Sequence, residues 1–276
     1  MATTTTSAVG APTIEYIMEL TQVRMSYGDP DSASSRQVLS ECSLGIRRGE
    51  FLCLLGPSGC GKTTLLKLLA GFERPSAGQV LFEGQEIRGP SRERVMVFQD
   101  AMSALLPWRS VYGNVSYVLE LQQGFLRRWA RPNAEVRERV RSSLELVDLL
   151  EHADKPPMEL SGGMKQRLQL ARTLTAEPAV MLMDEPFGAL DAMTRVEMQS
   201  ELLRVWTDPN SNGRTIAFIT HDIGEAIILA DRIAVMSNGP DARIIEVVDV
   251  GIDRPRGEDK DVEVARLQRY ISHLYR

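Results

Sequence analysis

A glycine-rich stretch places the strongest constraint on how this chain can fold. The stretch reads Gly56-Pro57-Ser58-Gly59-Cys60-Gly61-Lys62-Thr63. The apolar residues 51–55 before it predict a buried strand, and residues 64–70 after it predict a helix. Glycines let several backbone N–H groups face one anion, and a helix N-terminus adds partial positive charge. Strand, loop and helix in this order predict a phosphate-binding loop, whereas a turn would match the spacing by chance in about one chain in a hundred.

Side chains at the end of the loop have distinct expected tasks. Lys62 is expected to reach the β- and γ-phosphates of a nucleoside triphosphate, and the Thr63 hydroxyl is expected to ligate Mg²⁺. We assign the whole loop 56–63 and the following Thr64 to nucleotide contacts. Cys60 lies beside Lys62 at the predicted helix start, where the pKa of a thiol tends to fall. This predicts a thiol that alkylates readily and that ATP protects; the alternative is a small side chain that only fills space.

The composition is that of a globular protein with one large or two small domains. The chain has 276 residues, of which 43% are hydrophobic and 25% charged. Its net charge of -5 argues against a nucleic-acid partner, because binding to a phosphate backbone needs a basic face. The three cysteines, Cys42, Cys53 and Cys60, lack metal-site spacing, which fits a reducing cytoplasm.

The start of the chain and its hydropathy exclude some classes. Residues 1–14 predict a disordered tail, because Met1–Pro12 is rich in Thr and Ala and carries no charged side chain. The same stretch lacks the basic start and apolar centre of a signal or transit peptide. No apolar run approaches the length of about eighteen residues that a membrane span needs, so any membrane role is expected to depend on a partner.

Short apolar segments separated by turns predict an α/β fold with a mixed sheet. In the first part of the chain, residues 15–27, 38–49 and 95–98 predict strands, and residues 79–87 predict a hairpin. Later strands and helices alternate. The predicted strands are 180–183, 215–220, 233–236 and 243–248, and the predicted helices are 195–206, 223–230 and 262–270.

A helical region separates these two parts. Apolar side chains recur at helical spacing at Val136, Val140, Leu144 and Val147. We interpret approximately residues 100–160 as a helical subdomain inserted into the α/β core. Within it, the basic cluster Arg127-Arg128-Trp129-Ala130-Arg131 is either a contact patch or a solvated loop or helix end.

Polar side chains follow the predicted core strands, where α/β folds place ligands. Asp184 closes one strand and Gln99 another, and both are expected to organise Mg²⁺ or water. Glu185 is expected to act as general base or to orient the attacking water, the alternative being a simple cap. His221 follows the strand 215–220, which we expect at the edge of the sheet. It is expected to donate a hydrogen bond to the γ-phosphate, the alternative being a structural histidine.

A second anion-binding helix start is predicted at Leu160-Ser161-Gly162-Gly163, before a helix that ends near Thr175. The alternative is a plain N-cap formed by Ser161. Two glycines weaken a helix, so they indicate close approach of another group to the backbone. One phosphate loop and one spare helix start predict a dimer in which residues 161–163 of each chain close on ATP held by the other.

Together these motifs resemble the ATP-binding cassette subunit of a membrane transporter. The matching residues are the phosphate loop 56–63, Gln99 of the Q-loop, the signature 160–163, Asp184 and Glu185, Ala189-Leu190-Asp191 of the D-loop, His221 of the switch, and Tyr27, which matches the aromatic that stacks on adenine. They follow the family's order between residues 15 and 248. Met164 stands where many members have glutamine, and Gly188 where many have serine. Neither difference removes a phosphate or metal ligand.

A finer resemblance is to the cassettes of nitrate, sulfonate, taurine and bicarbonate importers. Leu105–Trp108 with Val111–Val115, Gly188–Arg195 and Arg254–Arg256 are similar to segments of that group. The short stretch after Val248 implies that the regulatory domain of sugar-type importer cassettes is absent.

The resemblance implies a P-loop NTPase core with an antiparallel β subdomain and an inserted α-helical subdomain. The cassette would cover residues 15–250, followed by a C-terminal tail with a short helix over 251–276. The implied cofactors are ATP and Mg²⁺. The implied catalytic residues are Glu185, His221 and Lys62; the implied metal site is Thr63, Gln99 and Asp184; Ser161, Gly162, Gly163 and Asp191 would contact nucleotide.

The resemblance also implies partners and a location. The partners would be a second copy of the chain, permease subunits docked near residues 99–108, and indirectly a periplasmic or lipoprotein solute-binding protein. The chain would lie peripherally at the cytoplasmic face of the plasma membrane. An exporter or lipid-transporter ATPase and a soluble ATPase of DNA repair or translation are alternatives. A module that binds ATP without hydrolysing it is disfavoured because Glu185 and His221 are both present.

Overall fold

The fold is built on a central, largely parallel sheet beside a smaller antiparallel one. The computed structural model describes residues 16–28, 36–100, 104–122, 134–188, 190–208, 213–256 and 260–274. In these ranges the strands are β1 Tyr16–Tyr27, β2 Arg36–Arg47, β3 Phe51–Leu55, β4 Ala77–Phe82, β5 Gln85–Glu86, β6 Arg94–Val97, β7 Val180–Asp184, β8 Thr215–Thr220, β9 Arg232–Met236 and β10 Ile244–Asp249. The α-helices are α1 Lys62–Ala70, α2 Val111–Gln122, α3 Ala134–Leu146, α4 Gly162–Thr175, α5 Ala192–Thr207, α6 Ile223–Leu229 and α7 Asp261–Leu274.

Among the described residues, the larger sheet has six strands in the order β10-β9-β3-β8-β7-β6. All neighbours pair in parallel except β10 and β9, which form the predicted antiparallel hairpin. The smaller sheet, in the order β2-β1-β4-β5, pairs antiparallel throughout. The prediction of a mixed α/β fold with early antiparallel strands is therefore confirmed.

Successive side chains of β3 pack alternately into two separate hydrophobic cores. Phe51, Cys53 and Leu55 face a core that includes residues of α2 to α7, whereas Leu52 and Leu54 face a core shared with α1 and the smaller sheet. Every residue of β3 is buried, which explains why its sequence reads as an unbroken apolar run. The strand that leads into the glycine-rich loop is thus fixed from both sides.

The structure differs from the sequence-based predictions of the fold in the position of one strand and in the bounds of some elements. The expectation that the strand before His221 lies at the sheet edge is wrong, because β8 pairs with β3 on one side and β7 on the other. All six of its residues are buried, as an interior position requires. The final helix is longer than predicted, because buried Ile271 continues its apolar face.

Helices α2 and α3 lie within the region predicted to be helical, approximately residues 100–160, and both pack on α4. No helix among the described residues is long and apolar enough to cross a membrane. The predicted N-terminal tail, the basic cluster 127–131 and Ala189 lie outside the described residues.

Candidate active site

The glycine-rich loop adopts a backbone that its glycines make possible. Gly59 and Gly61 have positive φ angles of 79° and 98°. A Cβ atom on Gly61 would also lie 2.9 Å from Leu39 Cδ2. Helix α1 begins directly after Gly61, and no side chain caps its first N–H groups. The loop and the helix start therefore present backbone donors suited to phosphate oxygens.

Lys62 is folded into this loop. Its Nζ donates to the carbonyl oxygens of Gly56 at 2.7 Å and Pro57 at 2.9 Å. The side chain is only 5% exposed, and Nζ lies 3.9 Å from Glu185 Oε1. The ammonium group is thus held where a phosphate would enter, with carbonyl partners that it can exchange for phosphate oxygens.

Thr63 and Asp184 meet at the end of β7. The Thr63 hydroxyl donates to Asp184 Oδ1 at 3.1 Å. Burial raises the pKa of the Asp184 carboxyl; the Thr63 bond opposes this effect and the neighbouring Glu185 adds to it. A hydroxyl beside a carboxylate offers the hard oxygen ligands that Mg²⁺ prefers, so the residues present fit that ion. No group of three or more His, Cys, Asp or Glu side chains forms a further metal site in the described residues.

The other two candidate catalytic residues, Lys62 and His221, both lie close to Glu185. Glu185 has a positive φ of 43°, so the chain turns sharply as it leaves β7. Its Oε2 lies 3.3 Å from His221 Nδ1, while its Oε1 faces Lys62. His221 is 59% exposed, whereas Glu185 is 19% exposed. The structure therefore brings the three predicted catalytic residues together at the carboxyl ends of β7 and β8.

Lys62 and Glu185, but not His221, line a cleft of about 680 Å³. Its lining comprises Tyr27, Arg36, Val38, Ser58, Gly59, Gly61, Lys62, Thr63, Thr64, Gln99, Asp184 and Glu185. Ten of these were predicted from the sequence, and Tyr27, expected to stack on adenine, is one of them. Sequence reasoning missed Arg36 and Val38, which carry no motif. The pairing of Tyr27 with Arg36 across β1 and β2 places them here.

The second predicted anion site does not reach this cleft within one chain. The Ser161 hydroxyl accepts from the backbone N–H of Met164 at 3.3 Å, so Ser161 is the N-cap of α4. A Cβ on Gly163 would lie 2.7 Å from Thr194 Cγ2, which explains that glycine by close approach to α5. A Cβ on Gly162 would meet no atom within 4 Å. Packing within the chain therefore does not explain why the residue at this position is Gly162.

Asp191 is the N-cap of α5 rather than part of the cleft. Its carboxylate accepts from the backbone N–H groups of Met193 and Thr194, both at 3.1 Å. It also accepts from the Thr194 hydroxyl at 2.7 Å. The Thr194 hydroxyl bond is the main reason that the pKa of Asp191 is lowered.

The expectation that the pKa of the Cys60 thiol is lowered is wrong. Cys60 is buried against the loop, and burial raises the pKa of its thiol. The nearby Lys62 lowers that pKa by a smaller amount, so desolvation outweighs the cation. A Cβ on Gly56 would lie 2.7 Å from Cys60 Sγ. The thiol therefore packs closely against the glycine that opens the loop.

Two glutamines of α4, not predicted as site residues, link that helix to the cleft. The side-chain amide of Gln166 donates to the carbonyl oxygen of Pro186, one residue after Glu185. The amide of Gln169 donates to the Phe98 carbonyl oxygen at 3.3 Å, one residue before Gln99. The helix that Ser161 caps is thus bonded to the segments that carry Glu185 and Gln99.

An apolar groove of about 620 Å³ lies beside Gln99, between β6 and helices α2 and α4. Val95, Val118 and Leu121 contribute apolar walls, and Arg92 and Arg172 also line it. Phe98 and Leu121 are 41% and 47% exposed at its rim. Such a patch on an otherwise polar surface is typical of a protein–protein contact.

Comparisons with known proteins agree with this geometry. The family model described as ABC transporter matches residues 39–188. The nitrate import ATP-binding protein NrtD of Synechococcus elongatus is 45% identical over 86% of this chain and 85% of its own length. The bicarbonate transport ATP-binding protein CmpD of the same organism is 45% identical over 82% of this chain and 78% of its own.

Solved structures show the same fold. The ATP-binding cassette MJ0796, in a dimer bound to ADP and Pi after hydrolysis, has a TM-score of 0.70 and 26% identity. The match covers 86% of this chain and all of that one, 100%. The cbiO1 protein of Clostridium perfringens, part of the transporter complex cbiONQ, has a TM-score of 0.72 and 29% identity, over 94% of this chain and 98% of that one.

Proposed function

This chain belongs to the ABC transporter family and is an ATPase, and we propose that it powers import of a small anionic solute through a partner permease. The observation that carries the catalytic part is the convergence of Glu185, Lys62 and His221 beside a phosphate-binding loop. The importer part is supported by relatives that serve nitrate and bicarbonate transport. The resemblance noted in the sequence extends the solute class to sulfonates and taurine.

Each catalytic side chain has one task in the proposed reaction. Tyr27 stacks on the adenine, and the loop N–H groups with Lys62 bind the phosphates. Glu185 orients water for attack on the γ-phosphorus. His221 and Lys62 stabilise the negative charge that develops on the γ-phosphate oxygens. His221 is also the partner that keeps the Glu185 carboxylate in place, since their atoms lie 3.3 Å apart.

Mg²⁺ is the cofactor that this site fits. The Thr63 hydroxyl would ligate it, with Asp184 and Gln99 completing its surroundings. Bound with ATP, the ion would neutralise phosphate charge. The raised pKa of Asp184 reflects burial of a carboxylate that a cation would compensate.

The complete site requires a second copy of the chain. Within one chain, Ser161 and Gly162 lie outside the nucleotide cleft, and the space beside Gly162 is open. In the proposed dimer, residues 161–163 of one copy close on the γ-phosphate held by the other, and Asp191 lies near the shared interface. The dimeric cassettes among the structural relatives support this arrangement.

The apolar groove beside Gln99 is the proposed permease contact. Gln169 connects the groove to the Gln99 segment through the Phe98 carbonyl, so a bound permease helix would sense movement of Gln99. In this proposal the chain lies at the cytoplasmic face of the plasma membrane. A periplasmic or lipoprotein solute-binding protein delivers the solute, which the cassette itself never touches.

Uptake by cells tests the proposed function. A deletion strain is assayed for uptake of labelled nitrate, bicarbonate, taurine and an alkanesulfonate, then complemented with the native chain, Glu185→Gln or Arg269→Ala. We expect the deletion to lose uptake of one of these anions. The native chain and Arg269→Ala, which changes an exposed arginine of α7, should restore it, and Glu185→Gln should not. Undiminished uptake of all four anions in the deletion strain would contradict the importer assignment.

A further inference from the structure

The C-terminal end of α6, the helix that follows His221, is bound in an unusual way. A helix leaves its last four carbonyl oxygens without partners inside the helix. In α6 these belong to residues 227–230, because the last intrahelical bond runs from Ala230 N–H to the Ala226 oxygen. All four oxygens accept hydrogen bonds from two arginine side chains in the segment that follows β10.

Arg256 supplies most of these bonds. Its Nη1 donates to the Ala230 oxygen at 2.6 Å, to the Ile228 oxygen at 3.4 Å and to the Ile227 oxygen. Its Nε donates to the Ile252 oxygen at 2.7 Å, which fixes the guanidinium plane. Burial, and then repulsion from Arg254, lower the pKa of Arg256 to about 10. The group is still a cation at neutral pH, where it favours a helix C-terminus.

Arg254 completes the set and connects it to the central sheet. Its Nη2 donates to the Leu229 oxygen, and its Nη1 donates to Asp231 Oδ1 at 2.6 Å. Asp231 in turn accepts from the Phe51 N–H at 2.9 Å. The guanidinium also lies 4.7 Å from the ring centre of Trp206. These contacts join the end of α6 to the first residue of β3.

The N-terminal end of α6 lies close to His221 in the chain, because the residue that follows His221 caps this helix. Asp222 is its N-cap and accepts from the Glu225 N–H at 3.0 Å. The buried Glu225 carboxylate accepts from the Gln199 amide on α5 at 2.9 Å. Because α6 spans only Ile223–Leu229, a displacement of its C-terminal end moves the whole helix. Such movement would change the position of His221 relative to Glu185.

We propose that Arg254 and Arg256, by binding the four terminal carbonyl oxygens of α6, position His221 against Glu185 for ATP hydrolysis. They are positioning residues, because neither lines the nucleotide cleft. The inference rests on the role proposed for His221 above. We call the hydrogen bonds from Arg254 and Arg256 to α6 the clamp. Since a misplacement of about 1 Å can reduce turnover about a hundredfold, loss of the clamp should lower kcat. It should leave the KM for ATP unchanged, because the loop and Tyr27 are not involved.

A double-mutant cycle on the full-length chain tests this inference. Steady-state ATPase activity is measured for the native chain, Arg256→Ala, His221→Ala and the double variant. We expect Arg256→Ala to lower kcat by about tenfold to a hundredfold with KM within twofold. In the His221→Ala background the same change should lower kcat by less than about twofold, because the residue that it positions is gone.

Two further variants serve as controls. Arg256→Lys keeps the charge but lacks the planar fork, so it should restore part of kcat. If Arg256→Ala does not fold, Arg256→Lys takes its place in the cycle, with a severalfold loss expected in the native background only. Arg269→Ala changes an exposed arginine whose Nε donates only within α7, to the Ala265 oxygen at 3.3 Å. It should leave kcat unchanged.

Each other outcome overturns the inference. Equal losses of kcat with and without His221 would mean that the clamp only stabilises the fold. Unchanged kcat in Arg256→Ala, or in Arg256→Lys where that variant takes its place, would mean that α6 needs no such support. Full turnover in His221→Ala alone would remove His221 from the proposed mechanism and the inference with it. That outcome is distinguishable because it appears in a variant with an intact clamp.

Discussion

Glu185 Oε2 lies 3.3 Å from His221 Nδ1, although the two residues leave different strands of the sheet. Strands β7 and β8 are parallel neighbours, with Asp184 paired to Ile219, so their carboxyl ends lie side by side. The contact holds the Glu185 carboxylate, which lines the cleft, while the His221 side chain stays 59% exposed.

Replacing Glu185 by Gln should separate ATP binding from turnover. The amide fits the same space but cannot accept a proton from water, so turnover should fall by about 10²–10⁴-fold. ATP affinity should be nearly unchanged, and an ATP-bound dimer should accumulate. Phosphate release and size-exclusion chromatography with ATP measure the two effects. Near-normal turnover would remove Glu185 from its proposed role.

Two substitutions of Ser161 should separate its role as N-cap of α4 from its proposed contact with the γ-phosphate held by the partner chain. Aspartate is also a good N-cap, so Ser161→Asp should keep thermal stability, whereas Ser161→Ala should cost about 1 kcal/mol. The new carboxylate would face the partner's γ-phosphate, and like charges in contact cost several kcal/mol. Ser161→Asp should therefore abolish ATP-driven dimerisation and lower turnover by about a hundredfold or more. Full activity in this variant would exclude the shared site.

Cys60 should react slowly with iodoacetamide at neutral pH. The thiolate is the reactive form, and burial raises the pKa of Cys60 above its usual value. Labelling should therefore accelerate as the pH rises above the ordinary range of thiols, and it should be fast only after unfolding. Mass spectrometry of the peptide that contains Lys62 measures it. Rapid labelling of the native chain at pH 7 would show that the loop opens and exposes the thiol.

Asp184→Asn should stabilise the nucleotide-free chain while abolishing turnover. Burial raises the pKa of Asp184 in the folded state, so its ionised form opposes folding. The variant's gain in melting temperature over the native chain should reach its full size at a pH above the raised pKa of Asp184. It should vanish at a pH below the ordinary pKa of a carboxyl, because Asp184 is then protonated in both the folded and the unfolded chain. Thermal melts between pH 3 and pH 8 test the sign. A lower melting temperature at pH 8 would contradict it.

Leu121→Glu should uncouple ATP hydrolysis from transport. Leu121 is 47% exposed at the rim of the apolar groove and does not line the nucleotide cleft. A charge there should lower solute uptake by about tenfold or more and leave ATPase activity of the isolated chain unchanged. Val262→Glu is the matched control, since Val262 is 82% exposed on α7. Undiminished uptake with Leu121→Glu would exclude the groove as the permease contact.

Local sequence patterns were sufficient to predict most of the strands and helices. The apolar run 51–55, the glycines after it and the helix that follows specify their conformations through nearby residues alone, and the structure confirms them. The order of strands is different, because it depends on contacts between distant segments. The interior position of β8 could not be inferred from Thr215–Thr220, whose apolar run is compatible with several positions in a sheet.

The sequence by itself determined which residues are candidates for phosphate and metal binding, because backbone curvature and ligand type are encoded within a few neighbouring positions. Only the tertiary structure decided which of them meet. It brought Glu185 to Lys62 and His221, kept Ser161 outside the cleft and added Arg36 and Val38 to it. It also buried Cys60, so desolvation prevailed over the nearby cation. Distance and burial arise from packing of remote segments, which no local pattern records.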